Sequence, residues 1–266
     1  YFDSSKWIIG NLRIDGDWVS CDFTPRTGLI IDQTGKAKII PDLYYDGQVV
    51  AKNGKAVDIT GINRERQAND LILYNRFYGS STGTNTFGRE VRVEKGKVTE
   101  ISLKGNMTLR PGSIVLSGHG RSAEFLKTLK VGNKVEVRQT LEQEEADNAK
   151  HVIGAGPLLV RNGKAYVTAD EEQFPADIAV GRAPRTAIGI KPDGSILLVV
   201  AEGRSVTSAG LTLNELAEYM VKLGASEAMN FDGGGSSEMV LNKKVVNKPS
   251  DGSERPVRAG LGLFRN

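Results

Sequence analysis

The sequence predicts an α+β fold, with a largely antiparallel or mixed sheet, few helices, and strands dominating the N-terminal two thirds. Three observations carry that expectation. Apolar and polar residues alternate on both sides of short glycine-containing turns, and helical spacing of apolar residues occurs in only two segments. Glycine makes up 31 of 266 residues, about 12% against a usual ~7%, which calls for many tight turns and close backbone approaches.

Residues Leu29 to Ile40 hold two short apolar runs around Gly35 and read as a hairpin. Glu90 to Ile101 alternates strictly around Lys95-Gly96, the strongest hairpin signal in the chain. Lys134 to Arg138 alternates in the same way. Between these two, Ser122 to Leu129 places Phe125, Leu126 and Leu129 at helical spacing, with Gly132 closing the segment. The pattern changes near residue 153. Ile153 to Val160 is a glycine turn feeding a buried strand. Thr186 to Ile190 and Ser195 to Val200 form a hairpin around Pro192-Asp193-Gly194. The best helix follows: Thr212 is its N-cap, Glu215 completes a capping box, Leu213, Leu216, Ala217, Met220 and Leu223 lie at 3.6-residue spacing, and Gly224 is the stop. Ala228 to Phe231, a glycine-rich turn and Glu238 to Leu241 complete the pattern. No short-period repeat or low-complexity linker interrupts it. Residues from about 64 to 150 can form a β-rich subdomain, although no clean boundary marks it.

Composition excludes several classes. With 39% hydrophobic and 25% charged residues the chain buries a real core and is no disordered tail. A single cysteine, Cys21, rules out a disulfide scaffold. The net charge of +3 is spread without runs, which argues against a nucleic-acid partner. The longest apolar runs, such as Ile196 to Ala201, are far too short to span a bilayer, so no transmembrane segment is expected. The chain opens on Tyr1-Phe2-Asp3 with no initiator Met and no signal peptide, which predicts a processed or trimmed chain.

The most informative segment is Asn230-Phe231-Asp232-Gly233-Gly234-Gly235-Ser236-Ser237. Three consecutive glycines cost backbone entropy that a plain turn does not require, and they suit a backbone that turns its amides toward an anion. A wide β-turn capped by Asp232 accounts for the same residues equally well. No Lys follows at the offset of a P-loop. Arg182-Ala183-Pro184-Arg185-Thr186 brackets a proline with two arginines just before a strand, which fits either a planar fork for phosphate or carboxylate, or a strand-end salt bridge. Glu202-Gly203-Arg204-Ser205 adds a carboxylate and a guanidinium at the far end of the partner strand. His119 and His151 are isolated and give no zinc spacing, and no G-x-S-x-G elbow exists. Asn106-Met107-Thr108 fits the glycosylation pattern, which arises often by chance. Ser80 to Thr86, after Tyr74, Phe77 and Tyr78, reads as a solvated loop or a sugar-contacting one.

In order, these segments resemble the phosphodiester glycosidase family, the bacterial relatives of the mannose 6-phosphate uncovering enzyme. The resemblance rests on Gly154-Ala155-Gly156-Pro157-Leu158-Leu159, Pro184-Arg185-Thr186-Ala187-Ile188-Gly189, Glu202-Gly203-Arg204, Ser208-Ala209-Gly210-Leu211-Thr212 with its helix, and Asn230 to Ser237. Asn247-Lys248-Pro249-Ser250-Asp251 and Glu254-Arg255-Pro256-Val257 also look like the family, and Gly61-Ile62-Asn63-Arg64 with Thr84-Asn85 resemble its bacterial branch. The similarity covers nearly the whole chain, 1–266, as one family domain. The family's usual Asp-Gly-Arg is here Glu202-Gly203-Arg204, which keeps a carboxylate one methylene longer. Its Asn-Gly pair falls before the position of Tyr1.

The resemblance implies a hydrolase that cleaves the glycosidic C–O bond of a sugar-1-phosphodiester through an oxocarbenium-like transition state. The leaving phosphate needs charge stabilisation, and the anomeric carbon needs a carboxylate. The expected phosphate and sugar contacts are Arg185, Arg204, Thr186, Ser237, Gly156 and the amides of Gly233, Gly234, Gly235 and Ser236. Asp232 is expected as nucleophile or general base and Glu202 as a second acid. No cofactor is required on this reading. The partner is a sugar-phosphate or glycan, plausible as a bacterial wall or exopolysaccharide component, and the location extracytoplasmic (secreted or cell-surface). Neither the sugar nor an oligomeric state follows. Two alternatives remain: a metal-dependent phosphodiesterase using Asp232, Glu202 and Glu254 on calcium or magnesium, and a non-catalytic glycan-binding module.

Overall fold

A computed structural model describes residues 7–264, so Tyr1, Phe2 and Asp3 lie outside the described residues. The architecture is α+β and mostly β, with several antiparallel sheets and four α-helices among the described residues. The chain forms two compact units, one from residues 7–10, 24–43 and 152–264, the other from residues 11–23 and 44–151.

The first unit is built on a five-stranded antiparallel sheet, in the order Lys164–Ala165, Leu158–Arg161, Glu227–Asn230, Arg185–Ile190, Ile196–Ala201. Strand alternation sorts its side chains into two cores. Ala187 and Ala228 face the helix Leu213–Lys222, joining Leu213, Leu216, Ala217 and Met220. Their sequence neighbours Ile188 and Met229 face the other way, onto Leu29 and Ile39 of the hairpin Arg26–Ile31 and Ala37–Leu43. The strand Leu158–Arg161 shifts register between Leu158 and Val160, and this bulge puts Leu158 in one core while Leu159 and Val160 serve the other. Burial of Leu213, Leu216 and Met220, all without accessible surface, contributes roughly 1.5–3 kcal/mol each. The helix starts as expected: Thr212 Oγ1 accepts from the Glu215 amide at 3.2 Å, and Glu215 Oε2 accepts from the Thr212 amide at 3.0 Å.

The antiparallel order has a consequence for function. Glu227–Asn230 and Ile196–Ala201 end at the edge where Arg185–Ile190 and Leu158–Arg161 begin, with Asn230 opposite Ala187, Ala201 opposite Arg185, and Met229 opposite Leu158. All four glycine- or arginine-bearing segments therefore leave the sheet on one side.

The second unit contains a five-stranded sheet in the order Lys97–Ser102, Arg89–Glu94, Ser113–Gly118, Leu71–Tyr74, Gly61–Ile62, whose last pair is parallel. Alongside are a three-stranded sheet of Val135–Leu141, Tyr45–Ala51 and Ala56–Asp58, and the hairpin Leu12–Ile14 with Asp17–Ser20. The turn at Lys95 (φ +47°) and Gly96 (φ +71°) has both central residues left-handed, the geometry that matches strand twist in a two-residue hairpin. The helix expected from Ser122 begins earlier, spanning Gly120–Lys127 with His119 at its N-cap. Two buried charged side chains are fully engaged here. Glu90 accepts from Thr84 Oγ1 (2.8 Å), the Met107 amide (2.9 Å) and Ser117 Oγ (3.0 Å). Arg92 donates to Glu100, Ser113 and the Thr108 carbonyl at 2.8–3.2 Å. Among the described residues no helix is long and apolar enough to cross a membrane.

Candidate active site

The segments that the sequence analysis singled out in the first unit meet at the sheet edge, and the glycine turn is its centre. Asn230 ends its strand, and the Phe231 amide donates to the Thr186 carbonyl at 2.8 Å, holding the turn onto the neighbouring strand. Each glycine is required by a neighbour. A Cβ on Gly233 would stand 2.8 Å from the Pro184 carbonyl oxygen. On Gly234, whose φ is +61°, it would stand 3.2 Å from Arg204 Nη1. On Gly235 it would overlap the Arg255 guanidinium and the Asp251 carboxylate. The triple glycine thus lets a backbone lie between two guanidinium groups.

Four amides of the turn are engaged within the chain. Gly233 donates to Asp232 Oδ1 (3.1 Å), Gly234 to the Pro184 carbonyl (2.8 Å), and Ser236 and Ser237 to Gly233 and Gly234 (both 3.1 Å). The Gly234–Ser236 segment is a single 3-10 turn, so the chain uses these donors to hold its own shape.

The two expected phosphate arginines have opposite environments. Arg185 is buried, and its guanidinium donates to the carbonyls of Leu211 (2.9 Å), Ile178 (3.0 Å) and Gly181 (2.6 Å). It clamps two loops instead of presenting an open fork. Arg204 is exposed and makes no hydrogen bond or ion pair with any described residue, and its guanidinium stands over Gly234. Its φ of +57° is a conformation that costs a residue with a Cβ roughly 1–2 kcal/mol, which the surrounding loop must hold in place. Arg182 is a structural residue: it bonds the Gly210 carbonyl and pairs with Glu215 of the capping box. Hydrogen bonds from the Thr212 backbone first, with those from the Arg182 guanidinium and the Thr212 hydroxyl, hold the Glu215 carboxyl below its ordinary value against the opposing effect of desolvation.

Among the carboxylates, Asp232 is half-buried and accepts only from the next residue's amide. Glu202 is exposed, but its Oε1 accepts from the Lys248 amide at 2.6 Å, so part of it fastens the following segment. Thr186 and Ser237 share a hydrogen bond of 3.1 Å between their hydroxyls. Ser236 Oγ is buried with no partner among the described residues. Gly156, at φ +91° and cis to Pro157, lies where a Cβ would overlap the Glu172 carboxylate, and its amide donates to the Asn230 carbonyl at 3.1 Å. Among the described residues no three His, Cys, Asp or Glu side chains gather as a metal-binding group.

Of the other residues at this edge, Glu172 carries no signal in the sequence, whereas Asn247, Asp251 and Arg255 fall in the family-like C-terminal segments. Glu172 receives the Thr27 amide and hydroxyl (2.8 and 2.7 Å), the Leu158 amide (2.9 Å) and the Thr168 hydroxyl (2.5 Å), tying the Gly156 loop to a strand 145 residues away. Asp251 accepts from Arg255 Nε at 2.7 Å across Gly235, and Asn247 bonds the Met239 amide and the Ser237 carbonyl. Asp251 and Arg255 also stand at i, i+4 spacing.

A family model described as phosphodiester glycosidase matches residues 87–264, more than half of the chain and the whole glycine-turn edge from Gly156 onward. The chain belongs to the phosphodiester glycosidase family. It is similar to the human N-acetylglucosamine-1-phosphodiester alpha-N-acetylglucosaminidase, 38% identical over 103 residues, which is 35% of this chain and 20% of that protein. It is similar also to the SPbeta prophage-derived protein YomE of Bacillus subtilis (strain 168), 39% identical over 109 residues, 41% of this chain and 16% of that one. The chain therefore matches no more than a fifth of the length of either relative. Among solved structures, a proposed exported protein of Burkholderia pseudomallei K96243 superposes with a TM-score of 0.77 at 28% identity, covering 93% of this chain and 59% of that one. A Synechocystis protein gives 0.78 at 23% identity over 95% of this chain and 48% of that one, a likeness of fold.

Proposed function

We propose that the chain hydrolyses a sugar-1-phosphodiester at the bond between the anomeric carbon and the phosphate oxygen. The observation that carries this reading is Arg204: a guanidinium without a partner among the described residues, on a left-handed backbone and over Gly234, two residues along the chain from Asp232. On this reading the left-handed backbone at Arg204 serves to present its guanidinium to a ligand. A guanidinium stabilises the charge that grows on the departing phosphate, and the leaving group is good enough to need little protonation.

On this reading Asp232 is the nucleophile, or the base that takes the proton of the attacking water. The C1–O bond breaks, its electron pair leaves on the phosphomonoester, and water oxygen ends on the sugar. Glu202, tied to Lys248, serves as the second acidic group. Ser236 offers its unpartnered hydroxyl, and Thr186 with Ser237 supplies hydroxyls for the sugar or phosphate. Arg185 supports the site from behind by holding the loops at Gly181 and Leu211. No cofactor is needed for these steps. Bacterial wall or exopolysaccharide sugar phosphates are the proposed substrate class, with N-acetylglucosamine the sugar named for the human relative. An extracytoplasmic location fits such a substrate and accords with the export proposed for the Burkholderia protein.

The deciding experiment is hydrolysis of a sugar-α-1-phosphodiester in heavy-oxygen water. Label in the free sugar and an unlabelled phosphomonoester are expected. Label in the phosphate would overturn the reading in favour of a phosphodiesterase. Saturable binding without turnover would favour a glycan-binding module. Asp232→Asn is expected to lower kcat at least 1,000-fold with an unchanged melting transition, and full activity in that variant would sink the assignment of Asp232.

A further inference from the structure

Arg26, at the start of the strand Arg26–Ile31, belongs to neither the sequence motifs nor the glycine turn. Its guanidinium carbon lies 4.3 Å from the centroid of the Phe174 ring. The Cε2 edge of the same ring lies 3.3 Å from the position of a Cβ on Gly156, so Arg26 stacks beside the Gly156 loop of the candidate site. Arg26 Nε is buried and has no hydrogen-bond partner among the described residues. The next residue, Thr27, is locked to Glu172 through amide and hydroxyl, which fixes the backbone from which Arg26 projects. In the same unit Arg182, Arg185 and Arg255 all have oxygen acceptors. An aromatic face satisfies the charge of a guanidinium but none of its N–H donors, and a desolvated cationic donor left without an acceptor is costly.

One phosphodiester carries one negative charge, and Arg204 suffices for it. A second guanidinium lacking an acceptor, beside the Gly156 loop, matches a substrate that brings a second anion. We propose that Arg26, braced on Phe174, binds a second phosphate beside Gly156, so that the preferred substrate carries a phosphate beyond the scissile one, as a chain of sugar-phosphate repeats does. This rests on the phosphodiester reading above, and it is tested by binding so that the two can fail separately.

The probes are N-acetylglucosamine 1-phosphate esterified to glycerol phosphate and the same compound on plain glycerol. Their dissociation constants are measured by calorimetry in the Asp232→Asn background. Sugar release during titration would bear on the role of Asp232 and not on this inference. The phosphorylated probe is expected to bind at least tenfold more tightly, and Arg26→Gln to abolish that preference while changing the glycerol probe less than twofold. Arg26→Lys keeps the charge and loses the fork, and should reduce the preference at least threefold; it serves if Arg26→Gln fails to fold. Equal binding of the two probes without the Arg26 substitution, or a preference that survives in both Arg26 variants, would overturn the proposal.

Discussion

The buried charges of the second unit and the arginines of the glycine-turn edge use the same chemistry to opposite ends. Glu90 and Arg92 sit with 0% and 1% exposure, each with three hydrogen-bond partners drawn from other segments. Arg204 and Arg26 also occupy defined positions, yet among the described residues they have no acceptor. A buried charge tied on several sides to other segments serves to hold the fold together. An unsaturated one, kept in place by strain or by stacking, has its interaction energy left for a ligand. Arg185 shows that position alone does not decide which case applies: it lies at the same edge as Arg204 and belongs with the saturated group.

The contrast breaks most visibly at Glu90. Glu90→Ala leaves Thr84, Ser117 and the Met107 amide without their acceptor, and is expected to destabilise the protein by about 3 kcal/mol or more, read as a fall in the urea midpoint. Arg204→Gln should do the reverse: kcat/KM falls about 100-fold, equivalent to ~2.7 kcal/mol of transition-state stabilisation, while the urea midpoint stays within the scatter of surface substitutions. Arg185→Gln sharpens the comparison, costing about 2 kcal/mol of stability through the carbonyls it abandons. If Arg185→Gln instead left stability intact and removed turnover, its assignment as a clamp would be wrong.

The smallest expected effect concerns pH. Burial alone raises the Asp70 carboxyl, but hydrogen bonds from the Arg64 guanidinium, the Gln67 amide and the Thr60 hydroxyl outweigh it, and the folded-state value is lowered. A lowered folded value means that the unfolded chain binds the proton first. The stabilisation is complete above the ordinary aspartate range near ~3.9 and is lost as pH falls through the lowered folded value. Asp70→Asn should flatten the fall in stability on acidification below about pH 4, measured by urea unfolding across that range.

Much of this was legible in the sequence where the signal is local. The capping box at Thr212 and Glu215 and the left-handed pair Lys95-Gly96 depend on residues within four positions, and both stand as read. The glycine turn was recognisable as unusual, but its reason was not. What crowds Gly233, Gly234 and Gly235 are Pro184, Arg204 and Arg255, brought in by pairing between strands far apart in the chain. Glu172 was invisible for the same reason. It closes the run Asp170-Glu171-Glu172, which reads as a solvated acidic stretch until Thr27 arrives from 145 residues away. Single-turn helices such as Glu144–Asp147 and Ala176–Ala179 are too short to show periodicity. The strand His151–Gly154 was hidden behind its glycine.

The fastening of the glycine turn by Asn247, the Lys248 amide, Asp251 and Arg255 sets an order of events during synthesis. Every strand of the five-stranded sheet is complete by Asn230, and the turn itself by Ser237. A nascent chain paused soon after that point has the sheet and the turn but not the ties that steady them, since those are translated after the turn. The edge is thus finished by its latest-made residues. A polypeptide broken off between residues 238 and 246 would keep the strands of the sheet while its glycine turn stayed unfastened.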